Sequence, residues 1–425
     1  MVMRRRTYLS ITASAVAGVA GCIASRSTNT DRDSTDDSTL PPDDTRAALP
    51  DEEGGSSTDE TAVDQPAEAG THDDFENLET WDITGGTLTA DPNRAVVGSQ
   101  SARVEVPAAR GATRLTKTFA EPRDLADVVP GVAVAADDVV VPWVRLVDTE
   151  GNSIDYRRGV GGELPLMRYN FGIEALDTGF DATSVSEVHI QLWTAEGDTR
   201  TVWFDDFHVT PRPETGAVMI QFDDGSATDY TEALPILEEC GYPAATFVNP
   251  DSIDSGEQWL TTDQLYELDD AGWCIGNHTR SHGRLPELNI AEQAAEIREG
   301  KQWLIERGFE DGAEYFAYPY GRYDATTLEL VDEHHAIGFA GGRPVQGYTT
   351  NTRLASRISE PSVDRLETVL ERTAEQRGIT SVMYHQLEGE DLEAFERLVE
   401  LLHEYESHGE LEVILPTDLE ERFLF

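Results

Sequence analysis

Four short stretches hold the side chains best suited to chemistry. Residues 217–229, AVMIQFDDGSATD, read as an apolar strand that delivers the adjacent carboxylates of Asp223 and Asp224 onto a Gly-containing turn. Successive strand residues face opposite sides, so the two acids have different tasks: one can hold a cation while the other takes a proton. Asn277-His278-Thr279-Arg280-Ser281-His282 follows a second apolar run. Two imidazoles four residues apart just past a strand can converge on one cation, and a carboxylate from the neighbouring strand would make a His-His-Asp set with positions left open for water. In Tyr318-Pro319-Tyr320-Gly321 the proline fixes the backbone and can aim the Tyr320 amide at a bound oxygen. Residues 381–384 form a strand ending on His385. Each stretch has a plain alternative, since Asp-Asp-Gly suits surface turns and HxxxH arises by chance in loops.

The elements around these stretches alternate. Strands are expected at 217–222, 243–248, 272–276, 314–318, 336–340, 355–359, 380–384 and 411–415, and helices at 228–240, 261–271, 290–307, 324–334, 363–376 and 391–408. Repeated βα units of this length call for a parallel sheet, open or closed into a barrel, with chemistry at the carboxyl ends of the strands. All four stretches fall there. The paired His334 and His335 lie on a helix away from those ends and read as surface residues.

Upstream, residues 75–211 hold short alternating runs (102–106, 139–147, 188–193, 201–209) with Gly and Asp turns and no long helical period, which argues for an antiparallel β-sandwich. Phe204-Asp205-Asp206-Phe207 mimics FDDG but lacks the Gly and a following HxxxH, so it is no second active site. Trp143, Trp193, Trp203 and Tyr169 could stack on sugars, but aromatic residues on strands are more often core. Thr210-Pro211-Arg212-Pro213-Glu214 reads as a short stiff hinge to a second domain over 215–425.

With 81 acidic and 32 basic residues the net charge is -49, and the only lysines are Lys117 and Lys301. Nucleic acid is excluded as a partner, because phosphate would be repelled almost everywhere. Acids spread over the whole length point to a solvated surface suited to molar salt. The amino terminus reads as an address. Arg5-Arg6-Thr7-Tyr8-Leu9 is a twin-arginine pattern, residues 11–20 are an apolar run too short to span a membrane, and Val19-Ala20-Gly21-Cys22 resembles a lipobox. Residues 1–22 are thus expected to be a signal ending in a lipid anchor at Cys22. Residues 23–74, dominated by Ser, Thr, Asp and Pro, are expected to be an acidic tether, which places the protein outside the cell on its membrane. Cys240 and Cys274 are expected as buried free thiols.

FDDG, NHTxxH, YPYG and a strand-terminal YH, in this order, resemble the NodB-type polysaccharide deacetylases, carbohydrate esterase family 4. The resemblance covers about residues 217–425. It implies a distorted (β/α) barrel and metal-dependent removal of N-acetyl groups from the amino sugars of a polysaccharide. It also implies Asp224, His278 and His282 as metal ligands, Asp223 as general base, the Tyr320 amide as oxyanion donor and His385 as general acid, with zinc the default ion. The upstream region resembles the jelly-roll modules of carbohydrate-active enzymes, in which an Asp at the place of Asp206 joins an amino-terminal carboxylate, here Glu76, around a structural calcium ion. A solvated strand end is the other reading of Asp206.

Two positions depart from the family pattern. Ala317 stands where an Arg usually orients the catalytic Asp, and residues 336–358 contain no Asp to tune the acid His. Arg353 or Arg357 could supply the guanidinium. An O-acetyl esterase on the same site and a non-catalytic glycan-binding protein are the rival readings.

Overall fold

The computed structural model describes residues 68–108, 111–194 and 199–425. The twin-arginine pattern, Cys22 and most of the expected tether lie outside the described residues. The fold begins a few residues before the expected boundary, because Gly70–Asp73 is a strand paired with Arg200–Pro211. Among the described residues no helix is long and apolar enough to cross a membrane.

The carboxyl-terminal region is a parallel barrel. Its strands are β1 (Gly216–Asp224), β2 (Ala245–Val248), β3 (Cys274–Asn277), β4 (Tyr315–Ala317), β5 (Ile337–Gly341), β6 (Ala355–Ser359), β7 (Ile379–Tyr384) and β8 (Leu411–Ile414). β1 pairs with β7 along one edge. Along the other, β8 takes Gly216–Met219 and β2 takes Gln221–Asp224. Strands β1 to β7 therefore close on themselves and β8 is an addition outside the ring. Closure is uneven, since β3 and β4 are joined at the single pair Asn277 and Phe316. This is the distortion expected of the barrel.

Side-chain alternation on β1 sets up the site. Val218, Ile220 and Phe222 pack outward in the cluster shared with the surrounding helices, whereas Ala217 and Met219 pack with Phe247, Phe339 and Ala355 inside the ring. Asp223 continues the inward column to its top. Helices α1 (Leu234–Cys240), α2 (Thr262–Asp270), α3 (Ile290–Ile305), α4 (Ala325–His334), α5 (Val363–Glu375), α6 (Glu390–Ser407) and α7 (Pro416–Arg422) surround the ring. α3 starts on a capping box, in which the Asn289 side chain accepts from the backbone of Glu292 and the Glu292 side chain accepts from that of Asn289. Gly300 lets this helix approach the histidine loop, because a Cβ there would lie 2.2 Å from Asn277 Oδ1. The helix expected over 228–240 begins differently. Asp229–Ala233 is a widened turn in which Leu234 N–H bonds Asp229 O, and the α-helix follows it with Pro235 in its first turn.

The amino-terminal region forms two antiparallel six-stranded sheets. One comprises Thr87–Asp91, Ser101–Val106, Arg200–Pro211, Val128–Ala136, Met167–Asn170 and Gly70–Asp73. The other comprises Gly172–Leu176, Ser153–Arg157, Trp143–Asp148, Val185–Thr194, Gly111–Arg123 and Asp82–Thr84. The run expected over 139–147 is broken by Pro142, which has no N–H to give the ladder. The strand starts at Trp143 and Val140 makes an isolated bridge to Val160.

Both sheets contribute to one buried cluster that also takes in Phe316, Tyr318 and Leu354 of the barrel. Backbone bonds cross the same boundary, from Ile173 N–H to Pro344 O (3.1 Å) and from Tyr348 N–H to Pro211 O (2.9 Å). The described residues belong to one compact unit.

Several expectations are settled by partners. Cys274 is buried, Cys240 is half-buried and both are free. Glu76 accepts from Ser99 and Gln100 N–H, while Asp206 is buried against Arg168 and Thr71. Asp205 accepts from Val96 and Val97 N–H, a role in loop anchoring. Tyr169 is core, Trp203 donates to Asp91, Trp143 is half-buried and Trp193 is exposed.

Candidate active site

A cleft of about 710 Å³ opens at the carboxyl ends of the barrel strands, and Asp223, Asp224, His282, Tyr320 and His385 line it. His278 lies beneath, almost wholly buried. The structure therefore gathers all six sequence-predicted residues.

Asp223 and Asp224 do not end on opposite faces, as strand alternation alone would have them. Asp224 has φ 72 and Gly225 has φ 70, so the chain turns left-handed at the strand's last residue and swings the second carboxylate back over the ring. His278 Nε2 consequently lies 3.6 Å from Asp223 Oδ2 and 3.5 Å from Asp224 Oδ1. Five of the eleven described non-glycine residues with positive φ belong to this region: Asp224, Thr279, His282, Tyr320 and Glu360. Such conformations cost energy and persist where the surroundings over-determine them.

The histidine loop is held from several sides. Thr279 N–H bonds Asn277 Oδ1 at 3.0 Å, His282 N–H bonds Thr279 Oγ1 at 3.1 Å, and Asn249 donates to the carbonyls of His278 and Thr279. His278 Nδ1 donates to Ala317 O at 2.7 Å, which fixes the tautomer and leaves Nε2 with its lone pair facing the aspartates. Burial, the largest influence, outweighs the neighbouring carboxylates and lowers the His278 pKa, favouring the neutral ring. His282 Nε2 is 3.2 Å from Asp224 Oδ1.

These three side chains pass a fit test for a divalent cation. Asp224 Oδ1 and His278 Nε2 are buried with no hydrogen-bond partner. Asp224, His278 and His282 each offer one ligand atom within 4.8 Å of the others, the only such group among the described residues. Two orphaned buried polar atoms facing one another are costly unless something sits between them.

Asp223 is held separately. Arg357 Nη1 donates to its Oδ1 at 2.7 Å and Nη2 to its Oδ2 at 2.5 Å, and both side chains are buried. Burial acts most strongly against ionisation. The Arg357 charge, His278 and the Arg357 hydrogen bonds together outweigh it and lower the Asp223 pKa. The guanidinium missing at Ala317 thus comes from β6. Arg353 is turned elsewhere, its Nη2 lying 3.6 Å from Met167 Sδ.

His385 also has a partner that the sequence reading passed over. Its Nδ1 lies 2.7 Å from Glu360 Oε1. Burial alone would lower its pKa, but the Glu360 hydrogen bond and the charges of Asp223, Glu360 and Asp224 raise it. Residues 336–358 contain no Asp for this role, and Glu360 stands two positions beyond them. Asp229, also unforeseen, is fully buried and accepts from Thr246 Oγ1 at 2.8 Å, and burial keeps its carboxyl protonated well above the usual range.

His335 corrects the surface reading of the histidine pair. α4 stops at His334, and His335 turns inward in an extended conformation to pack on Phe316. Its Nε2 accepts from Asn277 Nδ2 at 2.9 Å, so it supports the histidine loop, and burial pushes its pKa well down. Tyr320 is exposed, with its ring centroid 4.5 Å from that of His282 and the Arg284 guanidinium 4.7 Å from its ring centroid.

Residues 210–336 match the polysaccharide deacetylase family profile. The match includes the metal-type triad, Asp223 and Tyr320, and ends before Arg357, Glu360 and His385. The Bacillus subtilis (strain 168) protein YxkH, whose name provisionally assigns it as a polysaccharide deacetylase, is 32% identical over 146 residues, 34% of this chain. The aligned part spans 49% of that relative, about half its length.

Among solved structures, the Streptococcus pyogenes deacetylase PplD in complex with acetate is 24% identical, covering 33% of this chain and 62% of that one with a TM-score of 0.31. A family 4 carbohydrate esterase from Streptomyces lividans in complex with acetate is 18% identical, covering 47% and 92% with a TM-score of 0.35. The profile and the relative make residues 210–336 similar to polysaccharide deacetylases.

Proposed function

We propose that this protein is a metal-dependent hydrolase that removes N-acetyl groups from amino sugars of a polysaccharide outside the cell. The observation that carries the proposal is the meeting of Asp224, His278 and His282, with two orphaned ligand atoms, beside an Asp223 clamped by Arg357. A divalent cation held by the triad, zinc being the first to test, supplies Lewis-acid chemistry at the acetyl carbonyl.

The chain's own groups perform the rest. Asp223, kept ionised and aimed by Arg357, takes the proton from the attacking water. The Tyr320 N–H donates to the oxyanion that forms as the carbonyl carbon becomes tetrahedral. His385, held protonated by Glu360, gives its proton to the departing sugar amine as the C–N bond breaks, so acetate and free amine are the products. The left-handed Tyr320 backbone follows Pro319, whose ring restricts the peptide that presents this amide.

Acetate release from N-acetylglucosamine oligomers, with and without a chelator, tests the reading. Activity indifferent to chelation, or intact in Asp223→Asn, contradicts the mechanism. An O-acetyl ester would use the same groups, and acetylated xylan assayed beside chitin oligomers separates the two. Export and a lipid anchor at Cys22 belong to the same proposal and rest on the sequence pattern; a Cys22→Ala form released from membranes is the expected sign. The two antiparallel sheets are proposed to form a jelly-roll-like sandwich, on the strength of their shared buried cluster.

A further inference from the structure

Charge distribution in the cleft runs against the rest of the chain. The whole sequence has 81 acidic and 32 basic residues, yet the cleft is lined by four arginines, Arg284, Arg322, Arg357 and Arg365, against two carboxylates, Asp223 and Asp224. Arg357 is committed to Asp223, and Asp224 belongs to the metal-type triad. What remains is a rim of three guanidinium groups on a strongly acidic protein.

Position separates these groups from surface arginines, because they line the cleft that holds the triad. Elsewhere Arg280 pairs with Asp251 and Glu299, Arg397 with Glu367 and Glu400 and Arg422 with Glu412, while among the described residues exposed Arg94 and Arg298 have no ion pair and face no such cleft. Arg322 and Arg365 are exposed, and among the described residues neither has a carboxylate within ion-pair distance. Arg284 lies against the Tyr320 ring and has one long contact to Glu287, at 3.6 Å. Arg365 also sits in the first turn of α5, where the helix dipole disfavours a cation, so helix stability does not explain it. The three come from different loops: the one after β3, the one after β4 and the start of α5. They converge only because the barrel brings those loops to one rim.

Unpaired guanidinium groups facing a cleft are suited to planar oxyanions, which they bind through paired, charge-assisted hydrogen bonds. We propose that the substrate is an anionic glycan, with carboxylate or sulfate groups on sugars flanking the acetylated residue, held by Arg322 and Arg365 at the rim while the acetyl group reaches Asp223. The inference rests on the deacetylase reading of this cleft. Contacts of this kind act at hydrogen-bond range, so the remaining acidic surface opposes them little where salt screens it.

The test is calorimetric binding to the zinc-loaded full chain, with acetate release recorded separately on the same compounds. The probes are a hexasaccharide alternating N-acetylglucosamine with glucuronate, the same oligomer with its carboxylates reduced to alcohols, and a sulfated N-acetylgalactosamine–uronate oligomer beside its desulfated form. Two charge-assisted contacts predict affinity at least about tenfold higher for the acidic than for the reduced oligomer. That preference is expected to vanish in Arg322→Gln/Arg365→Gln.

Equal binding of acidic and reduced oligomers, no binding of either, or a preference that survives the double substitution overturns the proposal. The sulfated pair shows whether sulfate or carboxylate is the group recognised. Acetate from neutral chitin oligomers without any acidic preference removes this inference and leaves the deacetylase reading. A preference with no acetate from any compound does the reverse.

Discussion

Arg357 on β6 holds both oxygens of Asp223 on β1, at 2.7 and 2.5 Å, across a buried contact with Gln221 alongside at 3.3 Å. β7 lies between the two strands, so the clamp reaches over one neighbour on the inside of the ring. Lysine cannot reproduce the paired geometry. Arg357→Lys is expected to lower kcat by roughly 100-fold through misplacement of the carboxylate.

Arg357→Met leaves a buried, unpaired carboxylate and is expected to cost about 3–5 kcal/mol of stability. Adding Asp223→Asn should recover much of that stability in a thermal melt without restoring acetate release. A double variant no more stable than the single one would show that the pair is not coupled.

The bond between Glu360 and His385 predicts a pH effect with a definite sign. A general acid works only while protonated, and Glu360 is the leading influence raising the His385 pKa against the burial that lowers it. Glu360→Gln should therefore move the alkaline limb of the kcat/KM profile to lower pH and leave the acid limb in place. An unchanged alkaline limb would remove His385 from the role of acid.

The βα alternation was legible because its signals are local. Apolar runs buried on both faces mark the strands, and caps mark the helices, as Asn289 and Glu292 do for α3, whose observed span Ile290–Ile305 lies within the expected 290–307. The six site residues were legible for the same reason, since each sits at a strand end in a short motif. Their supports were legible only in part, since Arg357 was one of two candidate arginines and Glu360 was not singled out. Arg357 and Glu360 reach Asp223 and His385 through the register of β6 against β7, where Ile358 stands opposite Val382, and no local spacing reveals that. The convergence of Asp223 and Asp224 depends on one positive φ at a residue type that also fits an ordinary strand. His335 was misread because α4 was treated as continuous solvent-facing helix through both histidines, whereas its end turns the second one inward.

Metal removal gives a prediction independent of turnover. A cation bound by Asp224, His278 and His282 binds the folded chain and not the unfolded one, so zinc at about 100 times its Kd should stabilise the protein by about 2.7 kcal/mol over the chelated form. Asp224→Ala and His282→Ala should lower the zinc content measured on dialysed protein and abolish the difference in Tm. Full zinc content in both variants would place the ion elsewhere.

The boundary between the sheets and the barrel predicts cooperative unfolding. Tyr169 and Phe171 share a buried cluster with Phe316, Tyr318 and Leu354, and Asn170 Nδ2 donates to Tyr348 O at 2.8 Å while its Oδ1 accepts from Thr350 N–H at 2.9 Å. Gly172 is the tightest point of this boundary, because a Cβ there would lie 2.3 Å from Pro344 O, a backbone atom that cannot rotate away. Gly172→Ala should therefore push the two parts apart and cost about 1–3 kcal/mol, the usual range for overpacking a buried contact. Since apolar surface on both sides depends on the contact, tryptophan fluorescence and far-ultraviolet circular dichroism should report one transition in the parent chain, and the variant should shift that single transition downward. Two separated transitions in the parent chain, or a variant as stable as the parent, would mean that the sheets and the barrel fold independently despite the buried surface between them.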